Sequence, residues 1–156
     1  MEHIVNQIHK FLIKNKKTIS VAESCTGGIL SSLLTKLSGS SRYFYLGIVS
    51  YSNKAKEDIL KIPGFVIEKN GAVSSRVAGL MASQVRKIVK TDFGIGITGI
   101  AGPTGQTQQK PVGTVFIAIN SKRRKICKKF NFKGGRETIR KKAALKSLEL
   151  LLQETS

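Results

Sequence analysis

Chemistry is first offered at a hydroxyl set between a short apolar strand and a pair of glycines. Ala22-Glu23-Ser24-Cys25-Thr26-Gly27-Gly28 follows Thr18-Ile19-Ser20-Val21 and leads into a helical pattern at Ile29, Leu30, Leu33, Leu34 and Leu37. At a strand-to-helix turn, unpaired backbone N–H groups and the positive helix end favour a phosphate or a developing oxyanion, and glycines let a ligand approach the backbone. Ser24 is the candidate nucleophile. The plainer alternative is that Ser24 or Thr26 only caps the helix.

A serine that attacks needs a proton acceptor. The histidines, His3 and His9, both fall on an N-terminal helical segment away from every glycine-rich turn, which argues against a Ser-His-Asp arrangement. Lysine or tyrosine must serve instead. Tyr51 closes a strand and Lys56 lies about one turn into the next helix, so both can project from one sheet end. A partly desolvated lysine has its pKa lowered toward that of a base. For any single lysine in so basic a chain, a solvated surface position is the competing reading.

Gly94-Ile95-Gly96-Ile97-Thr98-Gly99 matches the string G-x-G-x-x-G. A dinucleotide-binding fingerprint must bridge a strand and a helix, and this string sits within a strand, so a Rossmann assignment is rejected. Ile100 to Pro111 is a Gly/Pro-rich polar loop too long for a tight connection, of the kind that borders a ligand. A mobile surface loop is the alternative.

The elements that must position these residues alternate. Met1 to Lys17 reads as an amphipathic helix, with apolar residues at 4, 5, 8, 11 and 12. Tyr43 to Tyr51 reads as a mostly buried strand, and Ser52 or Asn53 caps a short helix through Leu60 that Lys61-Ile62-Pro63-Gly64 ends. Ser75 to Lys90 places Val77, Leu80, Met81, Val85 and Ile88 on one helical face, as a surface helix over a sheet. Phe93 to Ile100 reads as a buried strand, Gly113 to Asn120 and Lys125 to Phe132 as a two-strand meander, and Arg136 to Leu152 as a last amphipathic helix. Such alternation favours an α/β fold. With 156 residues and no repeat or linker, one domain over 1–156 is expected.

Net charge is +18, from 27 Lys and Arg against 9 Asp and Glu. That suggests nucleic acid, anionic lipid or a phosphate-bearing substrate as a partner. The basic residues are dispersed, with a local cluster at Lys122-Arg123-Arg124-Lys125 and Lys128-Lys129, and lack interleaved aromatics for base stacking. Specific nucleic-acid binding is therefore not expected. The two cysteines, Cys25 and Cys127, and the two histidines form no zinc-like spacing, so no metal site is expected and both thiols are read as reduced. No run approaches the roughly 20 apolar residues of a membrane span. A soluble cytoplasmic protein with no membrane partner is the expectation.

Taken together, AESCTGG at 22–28, GSSRYFYLGIVSYSNKAK at 39–56, NGAVS at 70–74, GITGIAGPTG at 96–105 and KPVGTV at 110–115 resemble the CinA C-terminal domain family, the nicotinamide-nucleotide amidases. The motifs occur in family order over roughly residues 5 to 152. The resemblance implies a three-layer α/β/α sandwich with a mixed, mostly parallel sheet of about five or six strands. It also implies hydrolysis of nicotinamide mononucleotide to nicotinic acid mononucleotide and ammonia, in pyridine-nucleotide salvage, with no metal or organic cofactor. By motif position the family's serine, tyrosine and lysine fall on Ser24, Tyr51 and Lys56. The mechanism inferred has Lys56 and Tyr51 relay the proton from Ser24, while turn amides around Thr26, Gly27 and Gly28 hold the oxyanion. Ser41, Arg42, the Gly99 to Gly105 turn with Ala101 and Gly102, and Lys110 are the candidates for binding the nucleotide. Self-association into a homo-oligomer is implied as well.

Where the family loop commonly reads G-P-x-G-G, Gln106 replaces the second glycine, which can alter the loop backbone. The chain carries none of the molybdopterin-binding-like domain of some relatives, so a stand-alone amidase is expected. Cys25 is a second conceivable nucleophile, since a thiol at a helix N-terminus ionises more readily. Its side chain should point toward the core, away from that of Ser24. The reading from another class is a non-catalytic nucleotide- or DNA-binding protein, linked to competence or DNA damage, that uses the same turns and the basic surface.

Overall fold

Five successive buried residues, Ile19–Glu23, form strand β1, and two parallel neighbours bury it on both edges: β2 (Phe44–Val49) and β3 (Phe93–Gly99). Beyond β3 lie β4 (Thr114–Ser121) and β5 (Lys125–Asn131), each antiparallel to the strand before it. The order is β2-β1-β3-β4-β5, so four of the five strands run in one direction and β4 runs against them. The computed structural model describes residues 1–155.

Helices cover both sheet faces, giving the three layers expected. On one face, α1 (Glu2–Lys14), α2 (Ile29–Leu34) and α6 (Arg136–Thr155) close over Ile19, Val21, Ile95, Ile97, Val115 and Ile117. The other face carries α5 (Ser75–Val89) and α4 (Gly64–Asn70), which pack Met81, Val85, Val66 and Ile67 against Ala22. Each such aliphatic side chain removed from water contributes about 1.5–3 kcal/mol. The short helix α3 (Asn53–Asp58) follows β2 and is capped by Ser52, whose Oγ accepts the Ala55 amide at 3.0 Å.

The glycines of β3 explain the rejected dinucleotide string. A Cβ at Gly96 would stand 2.3 Å from the Ala78 carbonyl oxygen, and one at Gly94 would stand 2.2 Å from that of Ala82. They let the α5 backbone lie on the strand, and Ala78 and Ala82, fully buried, continue that close contact.

Two expectations change. β2 alternates half-buried and exposed residues, with Tyr45 and Val49 open to solvent, where a mostly buried strand was predicted. It is an edge strand, bonded on one side only, and Leu46 and Ile48 alone pack into the α4–α5 layer, while Gly47 lies under Ser31 of α2. Helix α4 begins at Gly64, inside the expected Lys61–Gly64 turn, and runs to Asn70 through residues to which no element was assigned; Pro63 precedes its first turn and Gly71, at φ +79°, ends it.

Candidate active site

Strands β1 and β3 end side by side. From β1 the chain leaves through α2 on one face to reach β2, and from β2 it crosses by α5 on the other face to reach β3. Such a reversal opens a crevice at the carboxyl ends of the strands, where α/β proteins bind ligands. Ser24 is the first residue beyond β1, held to the end of β3 by its amide, which donates to the Ile97 carbonyl at 3.0 Å. A pocket of about 300 Å³ opens there, lined by Ser24, Tyr51, Lys56, Thr98, Gly99 through Gly102, Gly105 and Arg136, among others.

Lys56 approaches from α3 and is 1 % exposed. Its Nζ lies 3.1 Å from Ser24 Oγ, 2.9 Å from the Ser50 carbonyl oxygen and 3.2 Å from that of Tyr51. Desolvation holds its pKa below the ordinary lysine value. No carboxylate pairs with it among the described residues. As an ammonium, Nζ donates to all three oxygens. As a neutral amine, its two protons meet the two carbonyls and its lone pair faces the Ser24 hydroxyl, which is the arrangement of a general base.

Tyr51 stands differently from the expected relay. The residue is 56 % exposed at the pocket mouth, and its hydroxyl accepts from Arg136 Nη2 at 2.8 Å. Only its backbone carbonyl touches Lys56. Proton transfer therefore needs no phenol between Ser24 and Lys56.

The amides of Gly27 and Gly28 are also otherwise engaged. The carboxylate of Glu23, fully buried, accepts from the amides of Gly28 and Leu30 at 3.1 Å and of Ser31 at 2.8 Å, and from the Ser31 hydroxyl at 2.7 Å. The Gly27 amide donates to the Ser24 carbonyl. Arg140 takes the carbonyls of Cys25 at 3.0 Å and Thr26 at 3.2 Å, and lies so close to Gly27 that a Cβ there would meet its guanidinium at 2.7 Å. Gly27 and Gly28 thus serve a turn already filled by protein groups, and Thr26 is buried beneath it. The expected anion site at the α2 N-terminus is corrected: Glu23 is the anion it holds.

Three other expected binding residues lie elsewhere. Ser41 and Arg42 sit in a 3-10 turn before β2, at the opposite sheet end and about 20 Å of strand from the pocket. The direction of β2 puts its first residues there. Lys110 turns its ammonium to the carbonyls of Val73 and Asn70, the latter at 3.4 Å, and so fastens the Gly/Pro-rich loop to the α4–α5 connection. Gly99, Ala101, Gly102 and Gly105 do line the pocket; Gly102 and Gly105 adopt φ of +79° and +91°. The exposed Gln106 lies outside the lining.

Both cysteines are free. Cys25 is 5 % exposed and packs in the core as expected, and burial pushes its thiol up to about 12. A protonated, buried thiol is a poor nucleophile, which leaves the hydroxyl of Ser24. Among the described residues no group of three His, Cys, Asp or Glu side chains could hold a metal. Among the described residues, no helix is long and apolar enough to cross a membrane.

Sequence reasoning missed Glu23, Arg136 and Arg140. Arg136 donates to the Gly102 carbonyl at 2.7 Å as well as to Tyr51, so it bridges the two walls of the pocket. Its only local signal was Gly134-Gly135 at the start of a helix.

Residues 1–155 match the family model described as the CinA C-terminal domain. The chain is 46% identical over 151 residues to a CinA-like protein of Desulfotalea psychrophila, covering 97% of this chain and 36% of that one. It is 50% identical over 130 residues to a CinA-like protein of Koribacter versatilis, covering 83% and 31%. The crystal structure of the competence/damage inducible protein CihA from Agrobacterium tumefaciens superposes with a TM-score of 0.96 at 32% identity, covering 99% of this chain and 95% of that one. The chain spans about a third of the length of the curated relatives it matches.

Proposed function

Because the chain belongs to the CinA C-terminal domain family, we propose that it is a serine amidohydrolase that converts nicotinamide mononucleotide to nicotinic acid mononucleotide and ammonia. The observation that carries this reading is the 3.1 Å approach of the buried Lys56 amine to the Ser24 hydroxyl, with the other Lys56 donors committed to backbone carbonyls. Neutral Lys56 accepts the Ser24 proton as Oγ attacks the carboxamide carbon. The resulting ammonium then protonates the leaving nitrogen, so ammonia departs and an ester on Ser24 remains. Water, deprotonated by Lys56, attacks that ester and releases the carboxylate.

With the Gly27 and Gly28 amides engaged, the oxyanion falls to backbone amides of the Gly99 to Gly105 segment that faces Ser24 across the pocket. Arg136, a guanidinium on the same pocket, is the group suited to the 5′-phosphate. Release of ammonia and nicotinic acid mononucleotide by the purified protein, beside Ser24→Ala and Lys56→Ala, tests the reading. Turnover lost in both folded variants supports it; turnover surviving Ser24→Ala overturns it.

A further inference from the structure

The sheet end opposite the pocket carries a second depression, an open groove of about 670 Å³. Phe11 of α1 and Phe93 of β3 form part of its lining, with ring centroids 6.3 Å apart. Lys17 and the β4–β5 turn, Lys122 to Arg124, also line it. The two acids of the lining are spoken for: Asp92 pairs with Lys17 at 3.3 Å and Glu154 with Arg124 at 2.6 Å. Lys122 and Arg123 are exposed and have no ion pair among the described residues.

Topology gathers this charge. β1 and β3 begin at this end while β4 finishes and β5 starts there. The lysines that flank these strands, Lys16 before β1, Lys90 before β3 and Lys125 opening β5, therefore share one rim. The aromatic faces that the basic cluster lacks in its own sequence are supplied by other elements. Cations in register with a backbone, beside rings on which bases can stack, are the features of a single-strand binding groove. The large exposed apolar residues, among them Tyr45, Val49, Ile59 and Phe65, are not in the groove lining, which disfavours a membrane surface here.

We propose that this groove binds the sugar-phosphate backbone of single-stranded nucleic acid, without base specificity, independently of the pocket at the other end of the sheet. Three or four cations on phosphates give a slope of log affinity against log salt of about −2 to −3. Affinity for a fluorescent oligodeoxythymidine, read by anisotropy, should then fall roughly 15- to 50-fold between about 50 and about 200 mM salt.

The paired variant Lys122→Glu, Arg123→Glu should weaken binding at low salt about tenfold or more and make the slope shallower by about 1.4. Lys69→Glu with Lys133→Glu removes the same charge at the pocket end and should change affinity less than about twofold, since its lysines lie a sheet length from the groove. Ammonia release from nicotinamide mononucleotide, measured on the same preparations, should be unaltered by the groove pair. That readout separates failure of the groove from failure of the catalytic reading. Absence of oligonucleotide binding at low salt overturns the proposal, as does equal weakening by the two pairs, which would mean diffuse charge alone. Duplex binding as tight as single-strand binding, or groove-dependent binding to anionic vesicles without oligonucleotide binding, overturns it too.

Discussion

Lys56 Nζ lies 3.1 Å from Ser24 Oγ although 32 residues separate them, and both groups are almost wholly buried. The pairing exists because β1 and β2 are parallel neighbours that end together: Glu23 pairs with Val49, and the chain beyond each strand turns into the same crevice. Replacing Ser24 by alanine removes the proposed nucleophile, and replacing Lys56 by alanine removes its proposed base. Each change should lower kcat by about a thousandfold or more, and the double variant should lose little further, since the two act as a unit. Ammonia release under substrate saturation measures this, and additive losses would contradict a shared step.

The depressed pKa of Lys56 gives a sign to the pH dependence. A base must be neutral to act, so kcat/KM should climb with pH through the folded-state Lys56 pKa and level above it. Lys56→Arg, which stays charged, should abolish turnover at every pH. Stability follows the same sign. Between the folded pKa and the higher unfolded one, the unfolded chain binds the extra proton, so raising pH favours the native state. Denaturation of the native protein beside Lys56→Met should show the native protein gaining on the variant as pH rises; a constant difference would mean that Lys56 is not desolvated.

Glu23 holds three amides and one hydroxyl at the start of α2. Leaving buried donors without an acceptor costs about 1–3 kcal/mol each. Glu23→Ala should therefore lose roughly 3 kcal/mol or more of stability in urea denaturation, and turnover should fall because the same turn carries Ser24. A loss below about 1 kcal/mol would show that water replaces the carboxylate.

Glycines of α5 and β3 make a contrasting pair. A methyl at Gly96 would stand 2.3 Å from the Ala78 oxygen and 2.6 Å from the Ala82 nitrogen, both backbone atoms, whereas one at Gly79 would meet nothing within 4 Å. Gly96→Ala should destabilise by about 2 kcal/mol or more as α5 is forced off the sheet. Gly79→Ala, in a helix interior, should stabilise by about 0.5–1 kcal/mol. Thermal denaturation of the two variants measures both signs.

What could be read ahead was what local pattern determines. The period of α5, the buried run of β3 and the Ser52 cap were visible because each depends on neighbours within a few residues. Ser24, with Tyr51 or Lys56 as its base, was reachable by elimination, since both histidines fall on α1, and the family resemblance supported the lysine against a surface position. Strand direction within the assembled sheet is set by long-range packing, so Ser41 and Arg42 were assigned to a pocket that β2 carries them away from. Glu23 was hidden for a related reason: a carboxylate beside a helix N-terminus reads as a neighbour of an anion site, and only the fold shows it turning inward to be the anion. Arg140 acts across 115 residues on Cys25, a distance at which no periodicity carries information.

Arg136 separates binding from chemistry. Its guanidinium faces the pocket with one nitrogen on the Gly102 carbonyl and another on the Tyr51 hydroxyl, and the hydrogen bonds of Lys56 go to Ser24, Ser50 and Tyr51 rather than to it. If it receives the 5′-phosphate, Arg136→Ala should raise KM for nicotinamide mononucleotide about 10- to 100-fold, the loss of a charge-assisted pair, while kcat falls far less. Nicotinamide riboside, which lacks the phosphate, supplies the control: the native protein should turn it over poorly, and the variant should treat both compounds alike. Arg136→Lys should restore only part of the affinity, because an ammonium cannot bridge two oxygens in one plane. An equal loss on nucleotide and riboside would instead assign Arg136 to holding Tyr51 and Gly102 in place, and the phosphate would need another cation.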